Sequence, residues 1–144
     1  MRYALGLLFF AAAIASGHAQ TLSSDVEYLL GECSVAANER MCNANHDEFI
    51  SDYRLAFKKD YQAQRNVAFC LIDGCDGAVK INKPLGCAWR IVILASGSQK
   101  LDASDRMNYD IMCKGKLDNT EALVFEGQAQ ELFRAIYKKK LTIK

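Results

Sequence analysis

Apolar residues in this chain recur at intervals of three and four, the spacing that lines one face of an α-helix. Ser24 and Glu27 stand at capping-box spacing ahead of Leu29, Leu30 and Cys33. Asn45 and Glu48 repeat that spacing before Phe49, Ile50, Tyr53, Ala56 and Phe57, which predicts a second helix opening at Asn45. A third helix is predicted from Tyr61 to Asp73, with Ala63, Val67 and Leu71 inward and Gly74 ending it. Pro84 suits the first turn of a fourth, where its missing N–H costs nothing. That helix carries Ala88, Trp89, Ile91, Val92 and Leu94, with Gly97 at its C′ position. Asp102 or Ser104 is the candidate cap of a fifth helix, running through Met107, Ile111 and Met112 to Gly115. Asn119 or Thr120 opens a sixth with Leu123, Val124, Leu132, Phe133, Ile136 and Tyr137. Short connections favour antiparallel neighbours, so the expected fold is all-α: about six helices forming three hairpins stacked in order.

The first residues break this pattern. Arg2 precedes an apolar stretch from Ala4 to Ile14, and small residues follow at Ala15, Ser16, Gly17 and Ala19. This describes a secretory signal peptide over residues 1–19, cleaved after Ala19, with Gly17 also fitting. The apolar run is shorter than the roughly 20 residues of a membrane-spanning helix. No Cys sits near the junction, which argues against a lipid-anchored mature terminus. Residues 20–144 then form a single domain, expected in the periplasm or secreted. Removing Arg2 from 18 basic residues leaves 17 against 17 acidic ones. That balance argues against nucleic-acid or anionic-membrane partners, which call for a basic surface. The run Lys138 to Lys140 reads as a solvated helix end, where cations suit the dipole.

All six cysteines, Cys33, Cys42, Cys70, Cys75, Cys87 and Cys113, lie beyond the leader. An even count in an exported chain reads as a disulfide framework. Zinc is the competing reading, but only His46 stands beside them and there is no paired C-x-x-C. Six cysteines allow fifteen pairings.

Gln62 to Gly97 reads QAQRNVAFCLIDGCDGAVKINKPLGCAWRIVILASG, and this segment resembles one Sel1-like repeat, a hairpin of two antiparallel helices related to the tetratricopeptide unit. The resemblance is carried by Ala63, Gln64, Val67 and Ala68 on the first helix, and by Gly74, Gly77, Val79 and Asn82 through the turn. Trp89 and the closing Gly97 complete it. It implies that Val79 plugs the turn, Asn82 caps the second helix and Trp89 lies in the interhelical core. Gly86 departs from the pattern, which prefers Ala there, and Arg90 stands where an aromatic is common. The implied hairpin geometry pairs Cys70 with Cys87 and Cys75 with Cys113, and leaves Cys33 with Cys42.

Candidate catalytic chemistry is thin. His46 follows Asn45 at the expected helix start, where a capping or exposed role outweighs general-base work. Cys70, Cys75 and Cys87 would need lowered pKa values to act as nucleophiles, whereas export favours their oxidation. Nucleophile elbow, phosphate loop, H-E-x-x-H and a convincing S-x-x-K are all missing. Asp73 with Asp76, and Asp102 with Asp105, sit where turns and caps want Asp. No catalytic residue, metal or cofactor is therefore expected, and binding to a protein is. The expected contacts are Ser96, Gly97, Ser98, Gln99 and Lys100 in one loop, Asp76 and Lys80 in the Gly74–Lys83 loop, and Arg90, the more available neighbour of Trp89.

Exported Sel1-like proteins resemble adaptors, and some small ones are immunity proteins against cell-wall amidases delivered by type VI secretion. The resemblance thus implies a partner of the peptidoglycan-hydrolase class. An envelope adaptor is the alternative, a β-lactamase-like enzyme a weaker one, and a homodimer remains open.

Overall fold

The computed structural model describes residues 25–142. The signal-peptide segment and Ser24 of the first capping pair lie outside them. The described chain is all-α: a helical segment at 25–29 (α1), then α2 (Glu39–Ala56), α3 (Tyr61–Asp73), α4 (Lys83–Ala95), α5 (Ala103–Met112) and α6 (Asn119–Tyr137). Short 3₁₀ turns lie at Cys33–Val35 and Cys75–Gly77. There is no strand among the described residues, only an isolated bridge between Leu30 and Val79.

Capping chemistry explains most boundaries. Asp60 accepts from Ala63 N at 2.8 Å to open α3, and Gly74 ends it in the left-handed region at φ 93°. Asn82 accepts from Leu85 N at 3.1 Å, Pro84 stands in the first turn of α4, and Gly97 follows its end at φ 69°. Asp102 and Asp105 form a capping box on α5, and Asp118 and Glu121 form another on α6. α6 thus opens at Asn119, as expected, with Asp118 as its cap, and α5 ends at Met112, short of Gly115.

Asn45 does not open a helix. Asn38, about two turns earlier, accepts from Met41 N at 3.0 Å, and α2 runs unbroken through Asn45 and His46. A Glu placed three residues after an Asn caps only when the preceding chain is non-helical, and Glu39 to Ala44 contains no breaker.

α4 is the least polar helix and is central. From Gly86 to Ile93 every residue is buried, as expected of a helix apolar on most faces. It packs against α3, α5 and α6, and the last two each meet α4 more extensively than they meet one another. One core cluster gathers Val26, Leu29, Phe49, Tyr53, Val67, Leu71, Val92 and Phe133 around the fully buried Trp89. Tyr53 and Phe57 meet the Trp89 ring edge-on, at centroid distances of 6.2 and 5.5 Å. A second cluster of Ile72, Ala88, Ile91, Phe125 and Ala129 closes the opposite side of α4.

Three disulfides staple the fold, as an oxidising, extracytoplasmic compartment permits. Cys33–Cys42 is as expected. The other two pairings differ: Cys70 joins Cys75, and Cys87 joins Cys113. Gly74 reverses the chain at the end of α3, which swings Cys75 back to within 5.0 Å (Cα–Cα) of Cys70. Antiparallel packing does bring a helix start to a helix end, but the helices concerned are α4 and α5. It sets Cys87 at 5.6 Å (Cα–Cα) from Cys113. No helix among the described residues is long and apolar enough to cross a membrane.

Candidate protein-binding site

The connection from Gly74 to Asn82 is held rigidly on both sides. Four successive residues, Gly74 to Gly77, take positive φ values of 93°, 43°, 58° and 85°. For Cys75 and Asp76 this region is unfavourable and persists only under restraint. The disulfide to Cys70 supplies one restraint. Asn45 supplies another from α2, its Nδ2 donating to Cys75 O at 3.1 Å and Asp76 Oδ2 at 3.0 Å. On the other side Gly31 N donates to Ala78 O and Lys80 N to Leu29 O, both at 2.8 Å. His46 Nε2 lies 3.1 Å from Gly31 O and donates to it, tying the same stretch to α2. His46 is thus a half-buried tether rather than a capping or free side chain. Val79 is buried as a plug, while Asp76, Lys80 and Ile81 are exposed. Lys80 Nζ donates to Tyr28 O at 3.0 Å and lies over the Tyr28 ring.

Beside this loop, α2 and α3 leave a cleft of about 210 Å³. Asn45, Glu48, Phe49 and Asp52 line it from α2, Asn66, Phe69 and Cys70 from α3, and Cys75 from the loop. Asn66 Nδ2 donates to Asp52 Oδ2 at 2.9 Å. Burial raises the Asp52 carboxyl above its ordinary value, the Asn66 hydrogen bond opposes this, and the charges of Glu48 and Asp60 reinforce it. Phe69 presents an exposed aromatic ring at the rim. Sequence reasoning missed this cleft because it exists only where α2, α3 and the Cys75 loop meet. With α2 continuous, Asn45, Glu48 and Asp52 fall at helical spacing on one face.

The Ser96–Lys100 loop lies at the other end of α4, about 20 Å along the helix axis, so the two loops do not form one site. Ser96 Oγ and Ser98 Oγ are used internally, accepting from Ser98 N and Lys100 N at 3.1 and 3.2 Å. Gly97, Gln99 and Lys100 are exposed. Arg90 is not available: it is only 5% exposed. Burial and the charge of Arg65 pull it below its ordinary pKa, opposed by Asp105. Asp105, the partner of Asp102 in the α5 capping box, is also a buried anchor: it accepts from Tyr61 Oη at 2.5 Å and pairs with Arg65 Nε at 3.3 Å. Burial first, then the bond to Asp105, pushes the Tyr61 hydroxyl up to about 12.

These features define a class: a small disulfide-stapled helical domain that presents a braced loop beside an acidic cleft. Comparison with protein-family models, with curated proteins and with solved structures returns no match. No group of three or more His, Cys, Asp and Glu among the described residues is arranged to hold a metal.

Proposed function

We propose that this chain is a periplasmic or secreted protein-binding module, and that it inhibits a cell-wall-degrading amidase as an immunity protein against a type VI secretion effector. The observation that carries the binding reading is the Gly74–Lys83 loop, clipped at Cys70–Cys75 and hydrogen-bonded from both flanks. A loop already ordered loses little entropy on docking, which suits insertion into an enzyme cleft. The amidase as partner rests on the Sel1-like resemblance of Gln62 to Gly97, and fold alone does not name a function.

The test is affinity capture with the oxidised chain from envelope and secretion extracts. One stoichiometric peptidoglycan hydrolase, silenced by adding the chain, would support the proposal. Capture of several envelope proteins without a hydrolase would sink it in favour of an adaptor. That second reading has its own support in the exposed apolar side chains Met107 and Ile111 on α5 and Leu123 and Val124 on α6. Charge reversal at Asp76→Lys with Lys80→Glu should weaken capture of the hydrolase at least tenfold. Gln99→Ala with Lys100→Ala should leave it within about twofold, because rim contacts outside the docking loop contribute little. The reverse ranking would move the site to the other loop.

A further inference from the structure

The three disulfides differ in their surroundings. None of Cys33, Cys42, Cys87 and Cys113 is more than 7% exposed. Cys70 and Cys75 are half-buried and both line the α2–α3 cleft. Exchange requires that a thiolate reach a sulfur, so access separates this pair from the others. The backbone adds a second difference. Cys75 and Asp76 hold left-handed conformations that non-glycine residues avoid, and opening the clip would let them relax.

Charge around the cleft restricts what can approach. Glu48 and Asp52 line it, while Asp73 Oδ1 accepts from Cys75 N at 3.2 Å and Asp76 stands next in the chain. Among the described residues, none of these four carboxylates has a Lys or Arg at ion-pair distance; the ion pairs formed involve Arg65 with Asp102 and Asp105. A cleft of one sign repels anions and concentrates cations at its mouth.

We propose that Cys70–Cys75 is a thiol–disulfide exchange site, whose reductant is a dithiol carried in a basic setting. One thiolate of that dithiol attacks Cys70 Sγ. A mixed disulfide forms, the Cys70–Cys75 bond breaks, and Cys75 leaves as a thiolate that takes a proton from water. Cys75 is the first leaving group because it sits on the loop, whereas a thiolate at Cys70 would face the carbonyl end of α3. The second thiolate of the dithiol then attacks its own mixed-disulfide sulfur, releasing Cys70, which is protonated in turn. Two electrons pass to the protein, and the dithiol departs as a disulfide.

The test compares cysteamine, a cationic thiol, with glutathione, an anionic one, at equal thiolate concentration on the purified oxidised chain. Freed cysteines are alkylated at intervals and located by peptide mass spectrometry. Cys70 and Cys75 should be labelled before the other four, and cysteamine should open them at least about tenfold faster. In Glu48→Gln/Asp52→Asn that preference should collapse. Glu48→Gln alone, at an exposed position, should reduce it if the double variant loses its helical circular dichroism. Opening of another pair first, simultaneous opening of all three, equal rates for the two thiols, or a preference untouched by the substitutions would each overturn the proposal.

Discussion

Gly31 has no room for a side chain. A Cβ there would lie 2.0 Å from Gly77 O, a backbone atom that cannot move without disturbing the loop. Gly86 is similarly placed where α3 and α4 approach, with a Cβ falling 2.6 Å from Ile72 Cγ1 and 3.1 Å from Ala68 O. This close contact accounts for glycine at that position. We expect Gly31→Ala to cost about 3 kcal/mol by overpacking. Gly86→Ala should cost less, because Ala regains up to about 1 kcal/mol of helix propensity; thermal melts of the two variants check the order. Asp105 carries a different kind of constraint. Its removal leaves Tyr61 Oη without its acceptor and Arg65 Nε without its ion pair, beside an Arg90 already buried. Asp105→Ala should therefore destabilise by about 3 kcal/mol, measured by denaturant unfolding. A change under about 0.5 kcal/mol, typical of surface sites, would show that the network contributes little.

Among the elements, α2 does two jobs. Its buried face, Phe49, Tyr53 and Ala56, belongs to the core, while Asn45 and His46 hold the segments at 74–79 and 31. The loop is thus braced by a helix remote in sequence and closed by a disulfide close in sequence. Asn45→Ala deletes two hydrogen bonds to the loop and none within the core. At about 1 kcal/mol each, their loss should raise amide hydrogen exchange at Gly77 to Val79 by about tenfold or more, with little change in the melting temperature. Unchanged exchange would mean that the disulfide and the bonds to residues 29 and 31 suffice to hold the loop.

For the whole molecule, tyrosines make stability sensitive to alkali. Burial, aided by the charge of Asp25, pushes Tyr53 up to about 12, and Tyr61 also stands at about 12. In the unfolded chain both titrate near 10. Below about pH 10 both states hold the proton, so this contribution is fully present. Between about 10 and 12 the unfolded chain loses protons that the folded one keeps, and stability falls as pH rises through that window. Two units at Tyr53 correspond to about 3 kcal/mol. Denaturant midpoints measured from pH 9 to 12 should decline from about 10 upward, and Tyr53→Phe should flatten that decline.

Local interactions made much of this fold legible in the chain. Helix periodicity, the Asn82 cap, Pro84, and Gly74 and Gly97 at helix ends are decided within a few residues, so α3 and α4 emerge with their observed limits. The burial of Trp89, by contrast, is expected from the resemblance of Gln62 to Gly97 to a helical repeat and not from periodicity. The even cysteine count indicated cross-links, and the short five-residue separation of Cys70 and Cys75 did not reveal that they join. Pairing depends on where the chain reverses and which helices lie side by side, quantities set by the packing of all six helices. The same long-range packing buries Arg90, turns Asp105 from a capping-box residue into a buried anchor, and sets Glu48 and Asp52 of α2 beside Phe69 of α3 in one cleft. Hydrogen bonds a turn apart can be read along the sequence; contacts such as Asn45 to Cys75 exist only once distant segments have met.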